Sequence, residues 1–434
     1  MIIRPIAIVD RRRMGATIRC ASAAQPRYPA QMSSIAPVLR GARIANSVAF
    51  GLQGFFFAVV LTELPQQKDK FGLSDELIVG SVVLVSLLAA VGSLTAERLA
   101  LRWSSRAALR IGLLLITITG TATAFAPNTA VLLGCLGGYG IAVGIVDASQ
   151  TMQAVFIQHG YGQFILTSFY AAWSAGSIAG ALFVSGCEAL DVTLRETLLG
   201  AAGIVLVVGL VLGPRLLGPQ EAEAGPAEEP ADVETVALRA YFVFGIAIAL
   251  VFAVDLAVGN WSALYLTEDL LASSATAALA LAAYQGTSLV ARLTGDVLVR
   301  RFGPRRVART AAAAGVVGLA IVIAAPNPVV AIIGFLIAGV GIPVIAPLCF
   351  SEAGQLTSGR ALDAMIARLN LFNYAGTLLG GGVVGAVAAG FGHRVGFVIP
   401  LVFAAAVIGL ARVFHSRPEG DKHPTSSSEH AVLD

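Results

Sequence analysis

Long apolar segments free of charged residues constrain the fold of this chain more than any other feature. Residues 111–146, 270–291 and 311–351 contain no Asp, Glu, Lys or Arg. A helix needs about 20 apolar residues to cross the hydrocarbon core of a bilayer, so the first and third segments are each long enough to cross twice. Charged residues make up only 13% of the chain, against about 25% in soluble domains. The chain is therefore predicted to lie mostly within a membrane.

Apolar runs separated by turn-forming residues predict twelve membrane-spanning helices. Their expected ranges are 43–64, 76–96, 108–126, 129–153, 163–187, 194–213, 240–265, 273–298, 309–326, 329–350, 364–391 and 394–414. The longest interruption, 214–239, contains four prolines and six acidic residues. Such a composition predicts a mobile polar linker.

The linker divides the spans six and six, so we predict an all-α membrane protein made of two pseudo-symmetric six-helix bundles. The expected parts are a disordered basic tail at 1–40, bundles at 41–213 and 240–414, the linker at 214–239 and a second tail at 415–434. Met14 and Met32 are alternative translation starts, because residues 32–34 lead directly into the first span.

Basic residues are distributed unevenly between the two sides of the membrane. With the N-terminus in the cytoplasm, the inner segments hold 24 of the 29 Lys and Arg residues, and the outer loops hold only Lys68, Lys70, Arg195 and Arg394. Because this bias sets topology, a multi-pass inner-membrane protein with both termini and the linker in the cytoplasm is predicted. The basic clusters are short and scattered, so no nucleic-acid partner is expected.

An internal repeat relates the two halves. Residues 92–110, GSLTAERLALRWSSRAALR, align without a gap onto 291–309, ARLTGDVLVRRFGPRRVAR, at an offset of 199. Glu97 meets Asp296 in this alignment, and a second match at an offset of 200 pairs residues 175–180 with 375–380. Two parallel six-helix repeats, related by an axis along the membrane normal, are a transporter architecture with its solute site at the midplane.

The repeated segment resembles the signature of the major facilitator superfamily, Gly-x-x-x-Asp-Arg-x-Gly-Arg-Arg, which lies between that family's second and third spans. The resemblance covers about residues 40–414, and the second copy, from Asp296 through Arg301 to Arg306, is closer to the signature than the first. The segments 147–153, 168–176 and 260–265 are similar to those of poorly characterised bacterial permeases akin to fucose-type sugar transporters.

This resemblance implies a secondary transporter that works by alternating access of its two bundles. It also implies a gating role for charged residues at the inner ends of the second and eighth spans: Glu97, Arg98, Arg102, Arg292, Asp296, Arg301 and Arg305. Arg292 and Asp296 are four residues apart, so they are expected to pair along one helix face. The alternative is that these charges only determine topology.

Two acidic residues lie inside predicted spans, where an ionised side chain is costly and usually faces water or a partner. Asp147 is expected in the inner third of span four, and Asp255 in the outer third of span seven. One acid in each half would suit alternating protonation in a proton-coupled carrier. The alternative is that each acid pairs with a donor and only orients helices.

Neutral polar and aromatic residues within the spans are candidates for solute contacts, because they exchange hydrogen bonds without a large desolvation cost. These residues are Asn46, Gln53, Tyr170, Trp173, Asn260, Gln285, Asn370, Asn373 and Tyr374. Aromatic faces beside amide groups would suit a sugar or another polyhydroxyl solute. Each residue alone is also consistent with a contact between helices.

The sequence contains no Walker loop, no His-Glu-x-x-His and no grouping for a catalytic triad, so an enzyme is not expected. The expected partners are a small-molecule substrate, the lipid bilayer and protons, without a cofactor or metal, and the protein is expected to be a monomer. Import of a sugar-like or other small polar metabolite is the leading prediction. Efflux of amphipathic drug-like compounds and a membrane-embedded sensor without transport are the alternatives.

Overall fold

The computed structural model describes residues 37–222 and 234–415, and within these ranges the secondary structure is helical, with no strand. The twelve long helices are α1 Pro37–Thr62, α2 Asp75–Arg102, α3 Ser105–Ala124, α4 Thr129–Tyr161, α5 Leu166–Ala189, α6 Leu194–Leu212, α7 Glu234–Leu264, α8 Ser274–Phe302, α9 Pro304–Ala324, α10 Pro328–Gly354, α11 Gly359–Leu378 and α12 Val398–Leu410. Short helices lie at Leu64–Phe71, Pro219–Ala222 and His393–Gly396, and a wide π-type turn, Leu379–Val383, carries α11 into a further helix, Val384–Phe391.

Ten helices of the described ranges are long and apolar enough to cross a bilayer. This finding confirms an all-helical protein that crosses the membrane many times. The remaining two long helices are α5 and α8, of 24 and 29 residues, and α8 carries Arg292 and Asp296 in its interior. The total of twelve spans stays a prediction, because the ten candidate spans do not include these two helices.

Capping residues in the connecting segments explain where several helices begin and end. Asn128 and Asn327 each accept a hydrogen bond from the backbone N–H three residues later, at the start of α4 and α10. Thr193 and Glu196 form a reciprocal capping box at the start of α6. These side chains satisfy N–H groups that have no partner within the helix. Gly162 ends α4 with a φ of 63°, a conformation that glycine adopts without steric cost.

The helices extend beyond the predicted spans at polar ends. α4 continues to Tyr161 instead of ending near 153, because Gln153 and Gln158 are buried between helices rather than placed in water. α7 begins at Glu234, inside the segment predicted as linker. Hydropathy detects the apolar part of a helix and misses polar turns that pack against protein. Residues 37–40 of the tail predicted at 1–40 belong to α1. Residues 1–36 of that tail, residues 223–233 of the linker and residues 416–434 of the tail predicted at 415–434 lie outside the described ranges.

Glycine packing repeats the internal symmetry of the sequence. α5 lies so close to α1 that a Cβ added at Gly176 would overlap the backbone oxygen of Gly51. α11 approaches α7 in the same way, where a Cβ at Gly376 would overlap the oxygen of Ala249. Small residues four apart permit such close contact between membrane helices. The match at an offset of 200 therefore marks the same helix pair in each bundle.

Both ends of the described chain lie on one side of the helices. Leu39, at the start of α1, lies against Gly160 at the end of α4, and the backbone of His415 meets Arg305 at the start of α9. We call this side, which includes Pro37, Arg102, Phe302 and His415, the terminal face. The side that includes Thr62, Ala189, Asp269 and Phe391 is the opposite face.

Candidate functional site

Hydrogen bonds join the two bundles near the terminal face. Between α2 and α11, Arg368 binds Glu97 through Nε and Nη2, at 2.7–3.2 Å, and Asn370 donates to Ser93 at 2.8 Å. Between α5 and α8, the carboxylate of Asp296 accepts the backbone N–H groups of Thr167 and Ser168 at 2.9 and 3.0 Å. Further links run from Gln158 to Ser351, from Arg300 to the Phe164 carbonyl and from Arg360 to the Leu101 carbonyl. Together they close the terminal face.

The two bundles separate between these links and the opposite face. Arg292 of α8 still reaches Ser174 of α5, with 2.6 Å between its Nη1 and the hydroxyl. One turn further along α5, Ile178 is 50% exposed. Two turns back along α8, Gln285 shares the face of Arg292 and is exposed. A cavity therefore opens toward the opposite face from the level of Arg292 and Ser174, which we call the cavity floor.

Where the N-terminal bundle lines the cavity floor, Asp147 of α4 is the centre of a polar network. Its two carboxylate oxygens accept hydrogen bonds from the Gln53 amide of α1 and the Tyr374 hydroxyl of α11. Gln150 donates to the Gln53 side-chain oxygen, and Asn46 donates to the Gln150 carbonyl at 3.0 Å. Since Tyr374 belongs to the other bundle, the charge of Asp147 acts directly on a contact between the two halves.

Asp147 is expected in the inner third of span four, and α4 continues eight residues beyond the predicted end of that span at 153. Because α4 runs from Thr129 to Tyr161, Asp147 lies near the middle of the helix. Gln53 and Tyr374 meet it at that level. The acid is therefore beside the cavity floor, within reach of both bundles.

On the C-terminal side of the cavity floor, Asp255 of α7 is paired with two groups of α8. The Tyr284 hydroxyl donates to one carboxylate oxygen, and Nη2 of Arg292 lies 3.6 Å from the other. The side chain of Asp255 is 21% exposed and that of Arg292 is 10% exposed. A buried charge of this kind requires a partner, and the pair supplies partial neutralisation while leaving Asp255 in contact with the cavity.

The remaining predicted solute-binding residues are an aromatic pair on α5, an amide pair on α11 and a separate residue on α7. Tyr170 packs on Phe50 with 5.4 Å between ring centroids, and Trp173 packs on Phe57 at 5.7 Å. Asn373 donates to Asn370, which joins the α11 residues to the contact with Ser93. Asn260 lies apart from this centre, exposed and five residues nearer the end of α7 than Asp255.

The predicted gating residues have different surroundings. Glu97, Arg292 and Asp296 contact the facing bundle. Arg98 is exposed, Arg102 lies over the ring of Trp103, and Arg301 lies over that of Phe302. Arg305 donates to the carbonyls of Arg412 and Phe414, in its own bundle.

Arg292 and Asp296 bind different partners instead of each other. Asp296 faces the first turn of α5, whose N-cap residue, Ile165, has no capping side chain. The free N–H groups of that turn attract the carboxylate, and this leaves Arg292 for Asp255. Spacing along one helix could not reveal this competition.

Several residues of the site were not predicted. Tyr284, Ser174, Ser93 and Arg368 all contact predicted residues. The repeat offered a way to find Arg368. It is 200 residues after Ser168, so it occupies on α11 the position that Ser168, the partner of Asp296, occupies on α5. Ser93 lies within the repeated segment 92–110 and Ser174 within the permease-like segment 168–176, but neither pattern indicates which of its residues face the other bundle. Tyr284 lies in no such segment. Among the described residues, no group of three His, Cys, Asp or Glu side chains could hold a metal ion.

Comparison with known proteins finds a family match over part of the chain and relatives over most of it. Residues 240–433 match the family described as Major Facilitator Superfamily. An uncharacterised MFS-type transporter of Yersinia pestis is 26% identical over 352 residues, which cover 80% of this chain and 88% of the relative. An uncharacterised transporter of Sinorhizobium fredii is also 26% identical and covers 85% of this chain and 96% of its own length.

Solved structures resemble the chain over most of its length. FucP, a major facilitator superfamily transporter solved in the outward conformation, has a TM-score of 0.71 at 18% identity, over 85% of this chain and 97% of its own. The human organic anion transporter MFSD10 has a TM-score of 0.70 at 14% identity, over 86% of this chain and 100% of its own. At these identities the likeness establishes the fold.

Proposed function

We propose that this chain, which belongs to the major facilitator superfamily of secondary transporters, carries a small polar solute across the membrane by alternating access coupled to protons. One observation carries the proposal. The bundles are joined at the terminal face and apart toward the opposite face, with two carboxylates at the level where they separate. Such an arrangement gives solute and protons access from one side only.

In this proposal the terminal face is cytoplasmic, the protein lies in the inner membrane, and the structure corresponds to the outward-open state. The excess of Lys and Arg in the segments on that face supports this orientation. Closing of the opposite face would then require the bundles to rock about the cavity floor, which breaks the links at Glu97 and Asp296.

Asp147 and Asp255 are the proposed proton-binding groups. Each is accessible from the cavity and holds a hydrogen bond or an ion pair that depends on its charge. Protonation of Asp147 weakens its bond with Tyr374 of the facing bundle, and protonation of Asp255 weakens its pair with Arg292. The first change loosens a contact between the two bundles. The second alters the surroundings of Arg292, which also donates to Ser174 of the facing bundle, so proton binding favours the change of state.

The polar centre favours a hydrophilic solute over an amphipathic one. Amide, hydroxyl and carboxylate groups of Gln53, Tyr374 and Asp147 meet at the floor, with Trp173 nearby as an aromatic surface. Import of a sugar-like or other small polar metabolite is therefore the proposed use. The E. coli fucose:proton symporter FucP shares the fold, which supports proton-coupled import within this architecture.

The test begins with a thermal-stability screen of the purified protein against sugars, polyols, sugar acids, amino acids and cationic drugs, since a bound solute raises the melting temperature. The stabilising compound is then followed into proteoliposomes under an inward proton gradient. We expect Asp255→Asn to abolish accumulation against a gradient and to retain counterflow. Unchanged uphill accumulation in that variant rejects proton coupling through Asp255, and stabilisation by several unrelated apolar cations favours efflux.

A cysteine pair tests alternating access independently of coupling. Ser93→Cys with Asn370→Cys, in a variant whose four native cysteines are replaced, joins α2 to α11 at a contact of 2.8 Å. Oxidation should stop counterflow, and a reductant should restore it. Counterflow that continues in the cross-linked protein rejects the rocking mechanism.

A further inference from the structure

Arg292 is a cation at the floor of the cavity with unused hydrogen-bonding capacity. The residue is 8% exposed. One guanidinium nitrogen donates to Ser174 at 2.6 Å, a second lies 3.6 Å from Asp255, and the buried Nε has no hydrogen-bond partner. A guanidinium has five N–H donors, so several of them are not engaged by Ser174 or Asp255.

A second arginine of the same protein shows what a structural pair looks like here. Arg368 contacts both oxygens of Glu97, with Nε at 3.1 and 3.2 Å and Nη2 at 2.7 Å. The Arg292–Asp255 pair is a single approach at 3.6 Å, and Asp255 already accepts a hydrogen bond from Tyr284. Two parallel bonds give an arginine–carboxylate pair its strength and fixed geometry. Arg292 has the loose geometry of a group that can exchange partners.

From this geometry we infer that the transported solute is a hydroxylated monocarboxylate, of sugar-acid type, and that Arg292 binds its carboxylate in exchange for Asp255. The inference rests on the proposed function, since it names the solute of the same cavity. A planar fork of N–H donors matches a carboxylate in two-point contact. Ser174, already within 2.6 Å of Arg292, now donates its hydroxyl proton to the Tyr170 carbonyl at 3.3 Å, and it can donate to the same anion by giving up that long bond.

The opposite side of the floor determines the rest of the solute. Asp147, Gln53 and Tyr374 present a carboxylate, an amide and a hydroxyl, groups that bind hydroxyls. A second carboxylate on the solute would face the charge of Asp147 without a nearby compensating cation in this network. One acid group at one end and hydroxyl groups at the other therefore fit both sides.

The exchange of partners also couples the solute to a proton. When the incoming carboxylate pairs with Arg292, Asp255 loses its cation, and a proton from the water-filled cavity binds the oxygen that faced Arg292. The floor holds one positive and one negative side chain in this pair before binding. Afterwards it holds a neutral Asp255 and an arginine paired with the solute, so one anion and one proton are taken up together without net charge.

Binding measurements on the purified full chain test the inference with chemically matched probes. The acids are D-gluconate, D-glucuronate, D-glycerate and L-lactate, and the uncharged or cationic counterparts are D-glucitol, D-glucose, glycerol and D-glucosamine. We expect at least one acid to stabilise and bind the protein, and every counterpart to bind at least tenfold more weakly. Calorimetry in buffers of different ionisation enthalpy should show uptake of about one proton for each acid bound.

Variants separate a role in binding from a role in folding. Arg292→Gln should lower the affinity for the acid at least tenfold, and Arg292→Lys should lower it less. Asp255→Asn removes the competing carboxylate, so it should raise the affinity for the acid and abolish the proton uptake. This gain of affinity cannot result from poor folding. Arg309→Gln, on the exposed surface of α9, is the matched control and should bind as the native protein does.

Three results would overturn the inference. They are equal or tighter binding of a neutral or cationic counterpart, unchanged affinity for the acid in Arg292→Gln, and no binding of any of the four acids. If a neutral sugar binds and its uptake is still driven by a proton gradient, the solute class is wrong while proton-coupled transport stands. If an acid binds in the expected way but is not transported, the binding role of Arg292 stands, while transport of that acid and with it the proposed function fail.

Discussion

The two acids at equivalent repeat positions, Glu97 on α2 and Asp296 on α8, reach across to the facing bundle in different ways. Glu97 binds the side chain of Arg368 on α11, whereas Asp296 binds the backbone N–H groups of Thr167 and Ser168 at the start of α5. Ser168 and Arg368 are 200 residues apart, the offset that relates α5 to α11 in the sequence. The contact therefore occupies the same position in both halves, but its donor is a side chain in one and the backbone in the other.

The lengths of the receiving helices explain the different donors. α5 begins at Leu166, so residues 167 and 168 lie in its first turn, where N–H groups have no partner within the helix. α11 begins at Gly359, so Arg368 lies in the third turn, where the backbone is already hydrogen-bonded. An acid that arrives there needs a side-chain donor, and arginine supplies one. A helix extended by two turns has thus replaced a backbone contact with an ion pair.

The two contacts also differ in their expected strength. Asp296 is 5% exposed, and hydrogen bonds to a charged group contribute about 1.5–3 kcal/mol each. The Arg368 side chain is 57% exposed, while that of Glu97 is 11% exposed. Solvent around the guanidinium screens the pair, and solvent-exposed ion pairs contribute about 0–1 kcal/mol, with this two-point contact at the upper end. The link between α5 and α8 should therefore dominate the closed terminal face.

Removal of Asp296 should have the largest effect. Asp296→Ala deletes two charge-assisted bonds, so we expect at least a tenfold shift of the population toward an open terminal face, since about 1.4 kcal/mol corresponds to tenfold. Spin labels at Arg98→Cys and Ala361→Cys, on exposed positions of α2 and α11, report the distance between bundles away from the mutated site. Asp296→Asn keeps one acceptor oxygen and should shift the population less. An unchanged distance distribution in Asp296→Ala contradicts the assigned dominance.

Removal of the Glu97 charge should have a smaller effect. Glu97→Gln keeps an oxygen for Arg368 and loses the ion pair, so a shift below about fivefold is expected, within the 1 kcal/mol of an exposed pair. The same label pair measures it. High salt should weaken the native contact by screening, and Glu97→Gln should show less of this salt dependence. A larger shift in Glu97→Gln than in Asp296→Ala would reverse the ranking of the two contacts.

The repeat made part of this site predictable. It identified Glu97 and Asp296 as equivalent, and the apolar runs located ten spans that the helices confirm. The repeat and the apolar runs are both read from the order of residues along the chain, without knowledge of contacts in three dimensions. They describe which residues occupy a helix and which helices are copies.

Partners across the bundle interface were not predictable in the same way. The choice of Arg292 between Asp296 and Asp255 depends on where α5 begins and on how α7 and α8 are rotated against each other. The position of Asp147 within its helix depended on eight residues beyond the predicted span, from 154 to 161, which include apolar Val155, Phe156 and Ile157 as well as Gln158 and His159. Such features follow from packing in three dimensions, to which a hydropathy pattern is insensitive.

A second equivalent pair gives the smallest expected effect, a pH dependence confined to one half. Gln153 of α4 exchanges hydrogen bonds with the backbone of Leu217, and Glu352 of α10, 199 residues later, accepts from the backbone N and Nδ1 of His415. Each residue holds the segment that follows the last helix of its bundle against that bundle. The first attachment is neutral, and the second contains a carboxylate and an imidazole.

The bond with Glu352 raises the pKa of His415 above its usual value. A raised pKa means that the attachment is at full strength below the ordinary histidine range and weakens as pH rises through the raised value. Hydrogen exchange of the segment 411–415, corrected for the intrinsic pH dependence, should therefore lose protection between mildly acidic and alkaline pH. The segment 213–218 should not change, because Gln153 does not titrate. The imidazole is 64% exposed, so the effect should be small, and His415→Ala should remove it. Equal pH dependence in both segments would mean that the attachment of the C-terminal segment does not depend on the charge of His415.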